Sequence, residues 1–386
     1  MRTLIISDLH LGSGSRSDLL RRPEMRASLL DALDGIDRLV LLGDVLELRH
    51  GPLREAMAAA QPFFEDLGRT LGGERELVLT SGNHDHALIE PWLAVRGAQS
   101  DPGPLLPEQL IEAHDASPAF ARIAEWAAPA RTRIAYPGLW VRPDVYATHG
   151  HYLDSHLTVP TLERLSVGAM SRLLGKHPSS FDGVDDYEAM GAPVFAWRDV
   201  VARNTHPGAA LNGMATVSAW QALGGGASEP GMRAGSRRWR RPMRRIVRGA
   251  RRRALVGAFP LAVAALNRAG IGPLKASISR GELRRAGLAA MGEVADRMKL
   301  GDAYVVFGHT HRAGPWQGDA QEEWRGPGGA RLVNSGSWTY ASIFLDESGP
   351  ANPYWPGTAV LVKDEGPPEL LRLLSGRSRV ELAPPA

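Results

Sequence analysis

Five short apolar runs in this chain each end in side chains suited to binding metal ions, and that repetition limits what the chain can fold into. Leu4-Ile5-Ile6-Ser7 leads into Asp8-Leu9-His10, and Leu39-Val40-Leu41-Leu42-Gly43 into Asp44. Leu77-Val78-Leu79-Thr80-Ser81-Gly82 leads into Asn83-His84-Asp85, and Val145-Tyr146-Ala147-Thr148 into His149-Gly150-His151. The last run, Tyr304-Val305-Val306-Phe307-Gly308, ends in His309-Thr310-His311. Short runs rich in Val, Ile and Leu and bounded by Gly predict strands buried on both faces. In open α/β sheets, ligands gather at the carboxyl ends of such strands. Five strands would therefore bring oxygen and nitrogen donors to one edge of one sheet, from nearly opposite ends of the chain.

The donor set narrows the chemistry. The chain has no cysteine, which excludes disulfides and thiolate metal sites and leaves His, Asp, Glu and Asn as ligands. Carboxylate, amide oxygen and imidazole suit hard and borderline divalent cations: Mn²⁺, Fe²⁺, Zn²⁺, Ni²⁺ and Co²⁺ all tolerate them. Asp8, His10 and His311 can hold one ion, and Asn83, His149 and His309 a second. Asp44, with two carboxylate oxygens, can bridge both. Two ions roughly 3.5–4 Å apart clamp the attacking and leaving oxygens of an in-line displacement.

At 386 residues the chain has room for one large domain with an insertion. Up to about residue 150, apolar strands alternate with helical stretches at 28–33 and 53–71, a βαβ layout. Helical spacing is also predicted for 105–128. Beyond His156 the strand signal stops, and 161–174, 186–204, 208–223 and 281–300 show helical periodicity. Strands resume at Tyr304 and continue through 330–334, 358–363 and 370–374. The expected organisation is a catalytic domain in two parts, 1–154 and 299–386, around a mostly helical cap insertion at 155–298. A Gly-rich loop at 224–231 lies inside that insertion.

Asp-x-His, Gly-Asp, Gly-Asn-His-Asp, His-Gly and Gly-His-Thr-His, in this order, resemble the calcineurin-like metallophosphoesterase superfamily, as does the later Asn334-Ser335-Gly336-Ser337. The resemblance implies a four-layer αββα sandwich and hydrolysis of phosphoric esters or pyrophosphates at a dinuclear metal centre, with manganese as its usual metal. It implies catalytic roles for Asp44 and for His84, the candidate general acid, with Glu47 in the position of that acid's carboxylate partner. Arg49 is a candidate phosphate-binding residue. His86 and His151, beside ligand motifs, are candidates for orienting ligands or phosphate. The overall plan is similar to the UDP-diacylglucosamine hydrolases, which also place a helical cap on this fold. Two departures stand out: those enzymes carry Arg where His84 stands, and Asp where His151 follows His-Gly.

Charge is partitioned sharply. The net charge is +3, yet 11 arginines and no acid fall between Met232 and Arg253, so the rest of the chain is acidic. Trp239, Met243, Ile246 and Ala250 mark one face of an amphipathic helix there, and an apolar run at 254–266 follows. That run is 13 residues long and contains Pro260, whereas a membrane span needs roughly 20. Segment 231–269 suits the surface of an anionic membrane, which makes a lipid-linked or amphiphilic phosphate ester the favoured substrate. The expected location is cytoplasmic, peripheral to the inner membrane face. The alternatives are a soluble nucleotide or nucleic-acid phosphodiesterase, whose phosphates the same arginines would bind, and a metal-free scaffold protein. Oligomeric state has no signature in the sequence.

Overall fold

The apolar runs do form strands, and their order in the sheet explains why their ends meet. The computed structural model describes residues 1–204, 263–275 and 280–385. The strands are β1 (Thr3–Ile6), β2 (Arg38–Leu42), β3 (Glu76–Thr80), β4 (Glu108–Glu112) and β5 (Arg131–Arg142). They continue with β6 (Val145–Thr148), β7 (Tyr304–Phe307), β8 (Arg331–Asn334), β9 (Thr358–Val362) and β10 (Glu369–Arg372). The sheet runs β10-β9-β1-β2-β3-β5-β6-β7-β8, with β4 on the flank of β5. β1, β2 and β3 are parallel neighbours, as are β6, β7 and β8. All five ligand-bearing strands therefore point their carboxyl ends the same way within each group.

The long strand β5 joins the two groups. Its first residues pair in parallel with β3, and its last, from Gly138, pair antiparallel with β6. The two sheets of the expected sandwich are thus halves of one curled sheet. Ile5, Val40, Leu42 and Val78 from one half share a buried cluster with Leu139, Val145, Val306 and Val333 from the other. Burying each such side chain contributes ~1.5–3 kcal/mol. The fold is α/β, as the sequence predicts.

The helices within this framework follow apolar periodicity. They include α1 (Pro23–Asp31), α2 (Leu53–Leu71), α3 (Glu90–Gly97), α4 (Ala113–Ala116) and α5 (Pro118–Trp126). In α2 the buried residues Ala56, Ala60, Phe63, Phe64, Leu67 and Leu71 fall on one face, and the helix ends at Gly72 with φ 65°. The helix predicted for 105–128 is correct only in its second half. Residues 108–112 form β4, whose register on β5 from Glu108 to Glu112 replaces the helical hydrogen bonds that local propensity favours.

Two compact units divide the described residues. The first contains 1–153, 181–204 and 291–385, and with it all ten strands and helix Val184–Asn204. The second contains 154–180, 263–275 and 280–290. In the second unit, helix Leu162–Leu174 starts at Thr161, whose hydroxyl caps the N–H of Arg164, and ends at Gly175 with φ 66°. The buried Arg164 side chain donates to the carbonyls of Leu157 and Gly272 at 2.8 and 3.0 Å. The helix predicted for 208–223 and the arginine-rich segment up to position 262 lie outside the described residues. Among those described, no helix is long and apolar enough to cross a membrane.

Candidate metal centre

Loops leaving adjacent strands pair with one another and so fix their side chains. Past β1 and β2, Asp8 N–H donates to the Gly43 carbonyl at 3.2 Å, His10 N–H to Asp44 at 2.9 Å and Leu11 N–H to Val45 at 2.9 Å. Asp8, His10, Asp44, His309 and His311 all take left-handed backbone, with φ between 46° and 65°. Only two other non-glycine described residues do so, Arg16 and Lys299. That conformation costs roughly 1–2 kcal/mol per residue, and such strain collects at functional sites.

Each central carboxylate has one anchored oxygen and one directed at imidazoles. In Asp44, Oδ1 accepts the His84 N–H at 2.8 Å. Its Oδ2 lies 3.3 Å from His149 Nε2 and 3.6 Å from His10 Nε2. In Asp8, Oδ2 accepts the His309 N–H at 3.0 Å. Its Oδ1 is buried without a hydrogen-bond partner, 3.2 Å from His311 Nε2. Asp8, His10 and His311 converge on one point, and Asp44, His149 and His309 on another. Asp44 belongs to a third group as well, with His10 and His84.

These atoms meet as a cation would require. His10 Nδ1 is bonded to Glu47 and His149 Nδ1 donates to the Leu42 carbonyl, both at 3.0 Å, which directs the Nε2 lone pairs inward. His10 Nε2 then lies only 3.2 Å from His311 Nε2. The Asn83 amide sits among His149 Nε2, Asp44 Oδ2 and His309 Nδ1, and turning its nitrogen inward lets it donate to the latter two at 3.2 Å. Lone pairs facing lone pairs are unfavourable until positive charge enters between them. The titration shifts have the same origin. Burial alone would raise the Asp8 carboxyl, yet His311 holds it down at about 2. Burial would lower His149, yet the Asp44 carboxylate drives it up to about 10. Against the same burial, Glu47, Asp44 and Asp8 raise His10 to about 9. The residues fit divalent cations, and Asp8, His10, Asp44, Asn83, His149, His309 and His311 would hold them.

Glycines make the convergence possible. A Cβ on Gly308 would sit 2.5 Å from Asp8 Oδ2, and one on Gly43 would sit 2.6 Å from the His149 ring. Asp85, whose part the sequence does not reveal, accepts the N–H groups of Val45, Leu46 and Gly82 and locks two loops together. Burial and the charge of Asp44 raise its carboxyl to about 6. Asn334 and Ser335 bind the Gly308 carbonyl and the Ser7 hydroxyl, which secures the β7 and β1 ends.

The remaining candidates separate into two sides. Glu47 holds His84 Nδ1 at 2.9 and 3.0 Å. Arg49 reaches His84 Nε2 and the Asn83 carbonyl, both at 2.9 Å. Burial, with the Arg49 charge behind it, lowers His84 to about 3. His86 turns away from this rim: its Nε2 lies 3.2 Å from Glu188, which also accepts from Tyr136 at 2.5 Å and from Tyr152. His151 is buried beside His149, ring centroids 5.6 Å apart, and neither of its ring nitrogens has a hydrogen-bond partner. Glu188 had no local sequence signal, because it lies 102 positions from His86 on a helix with unremarkable composition.

The family model of the calcineurin-like phosphoesterases matches residues 1–183, which carry four of the five strand-end motifs. No curated protein matches the chain. His309 and His311 lie beyond the matched stretch and complete the same cradle. The match over residues 1–183, together with the ligand groups described above, supports the calcineurin-like phosphoesterase superfamily of metal-dependent phosphoester hydrolases.

Proposed function

We propose that the protein is a dinuclear phosphoesterase, with manganese as its working metal, that hydrolyses phosphate or pyrophosphate esters of lipid-linked or amphiphilic molecules at an anionic membrane surface. The position of Asp44 carries the dinuclear part of this reading, because its carboxylate lies in the group with His149 and His309 and also groups with His10, a member of the group with Asp8 and His311. Two divalent cations bound there supply Lewis acidity at the phosphoryl oxygens and lower the pKa of the attacking water. The chain's own residues do the rest. Asp8 and Asp44 hold fixed negative charge at the floor, while His10 and His149 are locked by Glu47 and the Leu42 carbonyl with Nε2 inward. His84, Arg49, His309 and His311 are half-buried and form the accessible rim.

The lipid part rests on composition: 11 arginines between Met232 and Arg253 precede the apolar run at 254–266. Each basic residue near an anionic surface contributes up to about 1 kcal/mol. Phosphate or nitrophenol release with added Mn²⁺ tests the chemistry, and Asp44→Ala should abolish it. Sedimentation with phosphatidylglycerol vesicles, against neutral vesicles, tests the surface. Failure to bind vesicles, together with turnover of nucleotide esters at a rate indifferent to lipid, would replace the membrane reading with a soluble nucleotide phosphodiesterase.

A further inference from the structure

Asn83 and His149 follow different strands, yet the residues three places after each meet on one buried carboxylate. His86, in the loop after β3, brings Nε2 to 3.2 Å from Glu188 Oε2. Tyr152, in the turn after β6, donates its hydroxyl to Glu188 Oε1, and Tyr136 of β5 donates to the same oxygen at 2.5 Å. All four side chains are buried. Both carboxylate oxygens are engaged, and in such a low-dielectric setting each bond is costly to lose. Glu188 belongs to helix Val184–Asn204, which reaches the same two loops with two aromatic rings as well. Tyr187 stacks on Tyr152, with ring centroids 4.8 Å apart and planes within 12° of parallel. Phe195, two helical turns after Glu188 and so on its face of the helix, lies 4.8 Å from the His86 ring and 5.5 Å from that of His151. The helix thus covers the exits of the loops that carry Asn83 and His149. The other ligand group is tied down without it: His10 Nδ1 rests on Glu47, and Leu11 N–H donates to the Val45 carbonyl. Among the described residues, Glu188 hydrogen-bonds only His86, Tyr136 and Tyr152.

We propose that Glu188 is a positioning residue for one cation of the pair, the one assigned to Asn83, His149 and His309, and that helix Val184–Asn204 is a built-in part of that half of the metal centre. This rests on the dinuclear reading of the site. Glu188 reaches the ligands only through their loops. Asp85 holds the first loop at Gly82, and the Leu42 carbonyl holds the His149 ring. Glu188 holds the far end of each loop, at His86 and at Tyr152. With both ends fixed, the Asn83 side chain and His149 Nε2 keep one separation. Outer partners that orient ligands are worth about 10–100-fold in metal affinity. Loss of Glu188 should therefore unload one cation and leave the Asp8, His10 and His311 group as it was.

The test is Mn²⁺ binding by the full-length protein, followed by the electron paramagnetic resonance signal of unbound Mn²⁺. Wild type should bind two ions. Glu188→Ala should bind one as wild type does and the other at least about 10-fold more weakly. Glu188→Gln, whose amide oxygen can still accept from both tyrosines, should recover most of that loss. Tyr152→Phe, which removes a single donor and is the milder change for folding, should weaken the same ion about threefold. In His149→Ala, which already lacks that ion, adding Glu188→Ala should leave the remaining affinity within about twofold. In metal-free Glu188→Ala, the Leu153 amide, which donates to the Gly150 carbonyl, should exchange its hydrogen about tenfold faster, while the Leu11 amide keeps its wild-type rate. Equal weakening of both ions, a further loss on the His149→Ala background, or exchange at Leu11 quickened as much as at Leu153 would overturn the proposal. So would Glu188→Ala protein that bound both ions as wild type does, or Glu188→Gln protein as weak as Glu188→Ala. Wild-type protein that bound fewer than two ions would instead refute the dinuclear reading, and this proposal with it.

Discussion

A methyl group added at Gly82 should disable the metal centre without replacing a single ligand. An ideal Cβ there would lie 2.2 Å from Asp44 Oδ1, 2.7 Å from the Asp44 nitrogen and 2.7 Å from His149 Cδ2. Non-bonded carbon contacts are comfortable at about 3.5–4.0 Å, so Asp44 and His149 must retreat from Gly82 by roughly 1 Å. The loop cannot yield instead, because Gly82 N–H is held by Asp85 at 2.7 Å and His84 N–H by Asp44 at 2.8 Å. Overpacking of this kind costs typically 1–3 kcal/mol, which leaves a large domain folded. A misplacement of about 1 Å costs ~10²-fold in rate. Gly82→Ala should therefore retain its circular dichroism spectrum, lose about 10²-fold in kcat/KM on bis(4-nitrophenyl) phosphate, and hold less Mn²⁺ after dialysis. Gly97→Ala, where a Cβ would meet nothing within 4 Å, is the control and should behave as wild type. If Gly82→Ala kept full metal content and activity within threefold, the close packing of Asp44 and His149 against Gly82 would be wrong.

Two further outcomes follow from the same geometry. In metal-free protein His10 is raised to about 9 and His149 to about 10, above the ~6.5 of an unfolded histidine. Their contribution to stability is complete below about pH 6.5 and is lost as pH rises through 9 to 10; urea midpoints of stripped protein should fall over that range, while those of Mn²⁺-loaded protein should fall less. A stripped protein that gained stability from pH 6.5 to 10 would contradict this. Glu47→Gln removes the charge that orients both His10 and His84 and should weaken metal affinity 10–100-fold, measured by competition with a chelating dye; unchanged affinity would show that His10 needs no such anchor.

Much of the framework was legible because the signals are local. The runs ending at Ser7, Gly43, Gly82, Thr148 and Gly308 are strands or strand ends, and the apolar spacing from Leu53 to Leu71 matches its helix residue for residue. The strand at 108–112 was not legible, since Glu108, Gln109 and Glu112 acquire their conformation from pairing with β5. Long-range hydrogen bonds were equally hidden. The bond from Arg49 to His84 depends on a loop crossing that neither motif encodes. The tie between His86 and Glu188 links the Gly-Asn-His-Asp motif to a helix that begins a hundred residues later. Asp85, to which the motif alone assigns no role, is a backbone clamp, because three N–H groups surround its carboxylate.

The pairing of cations on one shared carboxylate is best tested by metal analysis of protein purified without chelator, loaded with Mn²⁺ and dialysed. Two equivalents per chain in the wild type, with Asp44→Ala retaining less than one and hydrolysing no phosphodiester, is the expected result. Wild-type protein that retained no metal, or an Asp44→Ala variant that kept both equivalents and its activity, would contradict it.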